Sequence, residues 1–468
     1  MIRIKKQTRT FMTLQAASFV VALLNFIPVL DWLLIAFFIC EVIYIAIREH
    51  GVFLKYLYFL VLMVWNTLCV FCVDNFRVFL PNLLMRSYRT GALAPLVIAN
   101  NVFLLTILLL ENNNKTKKVK QLYNDSDGNV QIRLSGYKRL ISRVIAIGAI
   151  IVAVIFLNQV LRNNYYTSGY STRFEYMQNS NAIALKYFGY LPYLIPFFLI
   201  TEKRRINKKL ISIYVVLYIA FLLLIGQKFT PIFELFTLLI LCYLIPFYNK
   251  RIEKNYKKIF IYLILIAIAF VFFSGIQSII ERGSSSIGIA MLFNRIINGQ
   301  GDVWWGIYAQ FSNQPPHLKE ISDELSFIGN TSNDQLTYNF GIYKMMNLIA
   351  PRAVLESYAR KGARFTASTN ASIYYYFGIV GLLTFQILFA IVIWYITNKI
   401  IVLCAKGKAF ETVLWCFLRN YSLSIYMMSA FDLFFRNTTK IIIFLIIISY
   451  FYNYLGRKTK RSLNAKRC

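Results

Sequence analysis

The segment Asn294-Arg295-Ile296-Ile297-Asn298-Gly299-Gln300-Gly301-Asp302-Val303-Trp304-Trp305-Gly306 carries the densest set of groups able to do chemistry. Its Gly299-Gln300-Gly301 step is expected to break a helix and to present Gln300 and Asp302 from a turn just ahead of two indoles. A flat apolar ring beside amide and carboxylate groups is what a sugar site needs, so Gln300, Trp304 and Trp305 are candidate sugar contacts. The competing reading of the two tryptophans is an interfacial membrane anchor. Arginine recurs nearby, as Arg282, Arg295, Arg352, Arg360 and Arg364, and again in shorter segments as Arg77, Arg86, Arg89, Arg162 and Arg173. A guanidinium fork grips phosphate at two points and stays charged at every relevant pH. A phosphate-binding mouth is one reading of the set. Headgroup contacts, or ion pairs with Asp302, Asp323, Glu324 and Glu356, are the other. For a general base the sequence offers Asp302, Glu281 and His317, with Asp323, Glu324, Asp334 and Glu356 also qualifying by type. His317 follows Pro315-Pro316, which sets an exposed turn, and histidine suits proton transfer near neutral pH. Spacing does not choose among them.

These groups must be held by a chain that is 58% hydrophobic, 17% aromatic and only 15% charged. A soluble domain carries roughly 45–50% apolar and about 25% charged residues. The balance found here is that of a protein solvated by lipid, and it leaves no room for a sizeable soluble enzyme domain. Apolar runs predict twelve transmembrane helices, at about 11–30, 32–47, 52–73, 91–110, 142–161, 181–200, 209–227, 230–248, 259–277, 371–396, 411–431 and 438–455. The net charge of +31 is clustered between apolar runs rather than along one polar domain, which argues against a nucleic-acid partner. Seven cysteines without zinc-type spacing and only two histidines exclude a His/Cys metal site. No metal and no cofactor is expected. The basic arm before the first run reads as an anchored first span, not a cleaved signal.

Segments on one side hold roughly twice as much Lys and Arg as those on the other, so the positive-inside rule puts both termini in the cytoplasm. The chain then divides into spans one to nine (1–276), one large outer loop (277–370), and spans ten to twelve with a basic tail (371–468). Helical apolar spacing at 287–311 and at 341–360, around Pro351, predicts amphipathic helices lying at the membrane surface. Within the spans, Arg419, Glu234 and Lys186 are costly in lipid and should face a cavity or one another. Tyr374-Tyr375-Tyr376 reads first as an interfacial belt.

The topology, the stretch Arg295 to Gly306, and Arg364-Phe365-Thr366-Ala367 leading to Tyr374–Gly381 resemble the bacterial O-antigen polymerases of the Wzy type. Arg295 and Gly306 keep that family's spacing of arginine, ten residues, glycine, whereas the 162–180 loop does not. The resemblance implies an all-α polytopic fold of GT-C-like architecture in the bacterial inner membrane, with the large loop periplasmic. It implies a metal-independent glycosyltransferase that moves the growing glycan from undecaprenyl pyrophosphate to the next lipid-linked repeat unit. Arg282, Arg295, Arg352 and Arg364, helped by Arg162 and Arg173, would then bind the pyrophosphate leaving group, and a chain-length regulator is an implied partner. Two rivals share parts of this pattern. An O-antigen ligase has the same topology and leaving group, but a loop histidine near arginine would be expected there. A lipid-linked oligosaccharide flippase should show two related halves and no long ordered outer loop.

Overall fold

The computed structural model describes residues 6–24, 28–113, 136–170, 173–180, 182–199, 208–227, 230–245, 256, 261, 299–322, 341–360, 365, 369–428 and 439–449. Over these the protein is all-α apart from a hairpin of two-residue strands, Phe79↔Arg86 and Leu80↔Met85. Five helices are long and apolar enough to cross a membrane: Leu30–Arg48, His50–Asn75, Leu93–Asn112, Leu140–Arg162 and Thr369–Ala405. We refer to four helices by label: α1 (Lys6–Leu23), α2 (Pro28–Arg48), α3 (His50–Asn75) and α4 (Leu93–Asn113).

Helix α3 is buried along most of its length and forms the axis of the bundle. Antiparallel α4 lies beside it, and Asn100 Nδ2 donates to Thr67 Oγ1 across the pair at 3.0 Å. The Gly136–Arg162 helix is instead exposed along Ile147, Ile151, Val154 and Ile155, an apolar face that suits lipid. One end of the bundle is tied by Lys55, whose Nζ bonds Glu111 at 2.8 Å and Asn398 at 3.1 Å, joining three helices. Nineteen residues up α3, about 28 Å of helix, Asp74 marks the other end, where the candidate site lies.

Among the described residues, two expected spans are interrupted or reversed, and a third, 230–248, passes from α-helix into a π-helical turn at Ile240–Leu244. Over 181–200 the chain runs as a short helix Ile183–Tyr187, a 3-10 stretch Phe188–Leu194 and another short helix Ile195–Leu199. Pro192 and Pro196 remove two N–H donors there, so an uninterrupted α-helix cannot be satisfied. The second departure is at Gly378, inside Thr369–Ala405, where φ is 65° and ψ is −164°. Gln386 Nε2 donates to Asn370 Oδ1 at 2.6 Å. In a straight helix sixteen residues would separate their backbones by about 24 Å. The chain therefore forms a hairpin: arm 369–377 rises out of the bundle, turns at Gly378, and arm 379–405 runs back down through it. Thr369 starts the short arm deep inside, its hydroxyl bonded to the Ile425 carbonyl. Tyr375 and Tyr376 on this arm are buried, which corrects the belt expectation. The ninth expected span, 259–277, lies outside the described residues, apart from the helical Ile261.

Candidate active site

The last turn of α3 and the start of α4 frame the site. Asp74 accepts hydrogen bonds from Thr90 N and Oγ1, from Gly91 N and from Trp305 Nε1. Trp304 Nε1 donates to the Ala92 carbonyl at 2.8 Å. Both indoles belong to the Asp302–Phe311 helix, which is wedged into the bundle end rather than laid upon it: Asp302 to Ile307 are all buried. The wedge needs Gly301. A Cβ there would stand 2.7 Å from Val70 N and 2.8 Å from the Cys69 carbonyl carbon, both backbone atoms of α3. Residues 299–301 form a turn ahead of the helix that begins at Asp302, and the Gln300 carbonyl accepts from Asn66 Nδ2.

The structure separates the residues singled out from the sequence. Trp304 and Trp305 are each 1% exposed, so neither ring offers a face to a sugar; they seat the helix. The aromatic pair that is half-open at this end is Tyr308 and Tyr374, with ring centroids 5.5 Å apart. Asp302 is buried and satisfied: Oδ2 accepts from Asn82 Nδ2 at 2.7 Å, and Oδ1 accepts from Val303 N at 2.9 Å. Asn82 in turn accepts from Tyr358 OH at 2.8 Å, which ties Asp302 to the Arg352–Arg360 helix. Burial pushes the Asp302 carboxyl up to about 6, although the donors from Asn82 and Val303 oppose it. A raised value means that the folded state prefers the protonated acid. Its contribution to stability is thus full below the ordinary value of 3.8 and is lost as pH rises through about 6. Asp302→Asn, carrying no titrating proton, is expected to flatten the fall in thermal stability between those limits. The difference in slope should amount to roughly 3 kcal/mol by neutral pH, read as melting temperature of the detergent-solubilised protein against pH.

His317 stands in a different setting. The strap 312–320 crosses the rim of the hairpin, with Pro316 against Gly378, and His317 N donates to the Tyr375 carbonyl at 3.2 Å. The imidazole stacks on the Tyr375 ring at 4.4 Å between centroids, and its Nδ1 is 3.5 Å from Glu320 Oε1. Nε2 is buried and has no hydrogen-bond partner among the described residues. Glu320 also receives Lys344 Nζ at 2.6 Å and Tyr375 OH at 3.0 Å. Burial acts to raise the Glu320 carboxyl, but Lys344, Tyr375 and His317 outweigh it and hold the group below the usual carboxylate value. The imidazole therefore has an ionised carboxylate on one nitrogen and an unengaged second nitrogen. Sequence reading singled out His317 but missed Glu320 and Lys344. The spacing of three between His317 and Glu320 was the available signal; Lys344 had none.

The arginines do not gather among the described residues. Arg352 is exposed and pairs with Glu356 at 3.0 Å, and Arg360 pairs with the same carboxylate at 3.8 Å. Arg173 reaches Gly226 O and Gln227 Oε1, and Arg162 is exposed. Glu281, Arg282, Arg295 and Arg364 lie outside the described residues, although Phe365, next to Arg364, is buried against Tyr358. Of the charged residues in the expected spans, Lys186 is exposed, Arg419 is buried, and Glu234 lies within electrostatic range of Arg419. Arg419 lies 5.7 Å from the Phe59 ring centre, and Glu234 accepts from Tyr193 OH.

A family model described as "Family of unknown function (DUF6418)" matches residues 335–453. That stretch contains the helical hairpin with its turn at Gly378 and also Lys344. No curated protein and no solved structure matches this chain. The protein is thus an all-α chain of apolar helices suited to a membrane, similar over about a quarter of its length to that family.

Proposed function

We propose that the protein is a membrane-embedded glycan polymerase, joining oligosaccharide units carried on a lipid pyrophosphate at the outer face of a bacterial inner membrane. In this reading the chain crosses the membrane twelve times with both termini cytoplasmic, in a GT-C-like arrangement. The observation that carries it is the His317–Glu320 dyad on a strap above a re-entrant hairpin, at one end of a bundle of apolar helices. The dyad favours His317 as base over Asp302, whose oxygens are engaged and buried.

His317 Nε2, which is covered in this structure and must be uncovered as the acceptor enters, takes the proton of an acceptor hydroxyl as that oxygen bonds to the anomeric carbon of the growing chain. The bond from that carbon to the pyrophosphate oxygen breaks, and pyrophosphate leaves on its lipid. Ionised Glu320, 3.5 Å from Nδ1, stabilises the imidazolium that forms. Charge on the leaving group is offset by cations without a metal. Lys344 is at the dyad, and Arg282, Arg295 and Arg364 are the chain's further candidates for this role. Tyr308 and Tyr374 offer rings for sugar stacking.

Gel profiling of surface glycans from a strain lacking the gene tests the reading. A core capped by a single repeat unit, restored to a ladder by wild type and not by an expressed His317→Ala variant, is the expected result. A strain with no repeat units attached would point to a ligase or flippase and overturn it.

A further inference from the structure

Every buried carboxylate among the described residues but one has a basic side chain facing it or donors on both oxygens, as Asp302 has from Asn82 and Val303. Lys55 serves Glu111, Arg89 serves Asp31 at 3.3 Å, Arg419 faces Glu234, and four N–H or O–H donors converge on Asp74. The exception is Glu41. It sits in α2 where α1, α2 and α4 meet, fully buried, and among the described residues no Lys, Arg or His acts on it.

Its neighbours are oxygen-bearing and neutral. Asn101 Nδ2, from the middle of α4, donates to Ser18 Oγ of α1 at 3.0 Å and approaches Glu41 Oε1 at 3.4 Å. The Ser18 hydroxyl also bonds Glu41. Gln15, one turn before Ser18, fixes α4 by donating Nε2 to the Asn101 carbonyl at 2.9 Å. Two acceptors in this nest are left over: Glu41 Oε2 and Asn101 Oδ1 are buried and have no hydrogen-bond partner. An unmet buried acceptor costs about 1–3 kcal/mol, and an uncompensated carboxylate in hydrocarbon costs far more.

We propose that Glu41, Asn101 and Ser18 form a binding site for a monovalent alkali cation. Hard cations are bound by carboxylate, amide and hydroxyl oxygens, which are the atoms presented here. Charge selects the valence. One carboxylate with neutral partners balances a single positive charge, whereas a divalent ion would leave a net charge buried among apolar helices. The ion draws together oxygens from α1, α2 and α4, so binding braces the first helix against the bundle. The site is independent of the polymerase reading, since none of its residues takes part in the dyad.

Melting of the full-length detergent-solubilised protein tests it, at one mildly alkaline pH and constant ionic strength. Sodium chloride and potassium chloride are each titrated against choline chloride. At least one alkali salt should raise the melting temperature with a saturable dependence on concentration, as mass action requires. Glu41→Gln, of the same shape, should abolish the difference between that salt and choline. Ser18→Ala should keep the fold and shift half-saturation about tenfold higher. Equal melting in all three salts, as a protonated acid at Glu41 would give, overturns the proposal. So does an alkali effect that survives in Glu41→Gln.

Discussion

Gly381→Ala is expected to unmake the helical hairpin at the site end, lowering stability by about 3 kcal/mol or more. In an ordinary helix, positions four apart stand one above the other with room between their Cβ atoms. Here the chain has turned back at Gly378, and a Cβ on Gly381 would overlap Phe377 Cβ. Rotamer change gives no relief, because both atoms are attached directly to the backbone. Gly378→Ala should cost about 1–3 kcal/mol through its backbone alone, since φ 65° with ψ −164° is a region essentially reserved for glycine. Pro316 Cγ, 3.2 Å from the added carbon, makes this worse. Gly148 supplies the control. Nothing lies within 4 Å of its position in a helix, so Gly148→Ala should leave stability unchanged or raise it by up to about 1 kcal/mol. Thermal melting of the three variants in one detergent distinguishes the hairpin from a straight span. Equal, small effects at all three glycines would mean that residues 369–405 run straight.

The hairpin also shows where reading the sequence stops. The apolar run over 371–396 is unbroken, and hydrophobic periodicity reports that a segment is buried, not which way it travels. A signal was present in the polar opening Thr369-Asn370-Ala371-Ser372 and in glycines at 378 and 381. Neither is distinctive in a membrane protein, where glycine is frequent within spans. Other elements were legible because their cause is local. Pro351 separates the Gly341–Ile349 and Arg352–Arg360 helices, and the Gly299–Gly301 turn starts the helix at Asp302.

Residue roles were less legible than elements. Tryptophan beside aspartate describes a sugar site and a well-anchored helix equally well. Only the non-local partners Ala92, Tyr88 and Asp74, all engaging the indole N–H groups, decide for the anchor. The same holds for Glu41 and Asn101. They are sixty residues apart in sequence, and neither forms a motif, but α2 and α4 bring them together.

His317→Ala is expected to lower the rate of chain extension by about 10²–10⁴-fold, the usual contribution of a positioned general base. The protein should fold normally, since the strap keeps Pro316 against Gly378 and the backbone bond from residue 317 to Tyr375 O. His317→Gln should lose as much, because an amide hydrogen-bonds but takes no proton. Glu320→Gln separates positioning from structure. The amide still spans Tyr375 and the strap, but the negative charge that favours the imidazolium is gone. The rate should fall by about tenfold or more while the melting temperature stays near that of wild type. A purely structural Glu320 would lower the melting temperature along with the rate. Lys344→Met is the informative counterpart. Removing the ammonium leaves Glu320 with less to hold it ionised, so the fraction of enzyme with a charged Glu320 should fall at mildly acidic pH and activity should fall with it. Retention of the full rate in His317→Gln would remove His317 from the chemistry and return the role of base to the carboxylates at this end of the bundle.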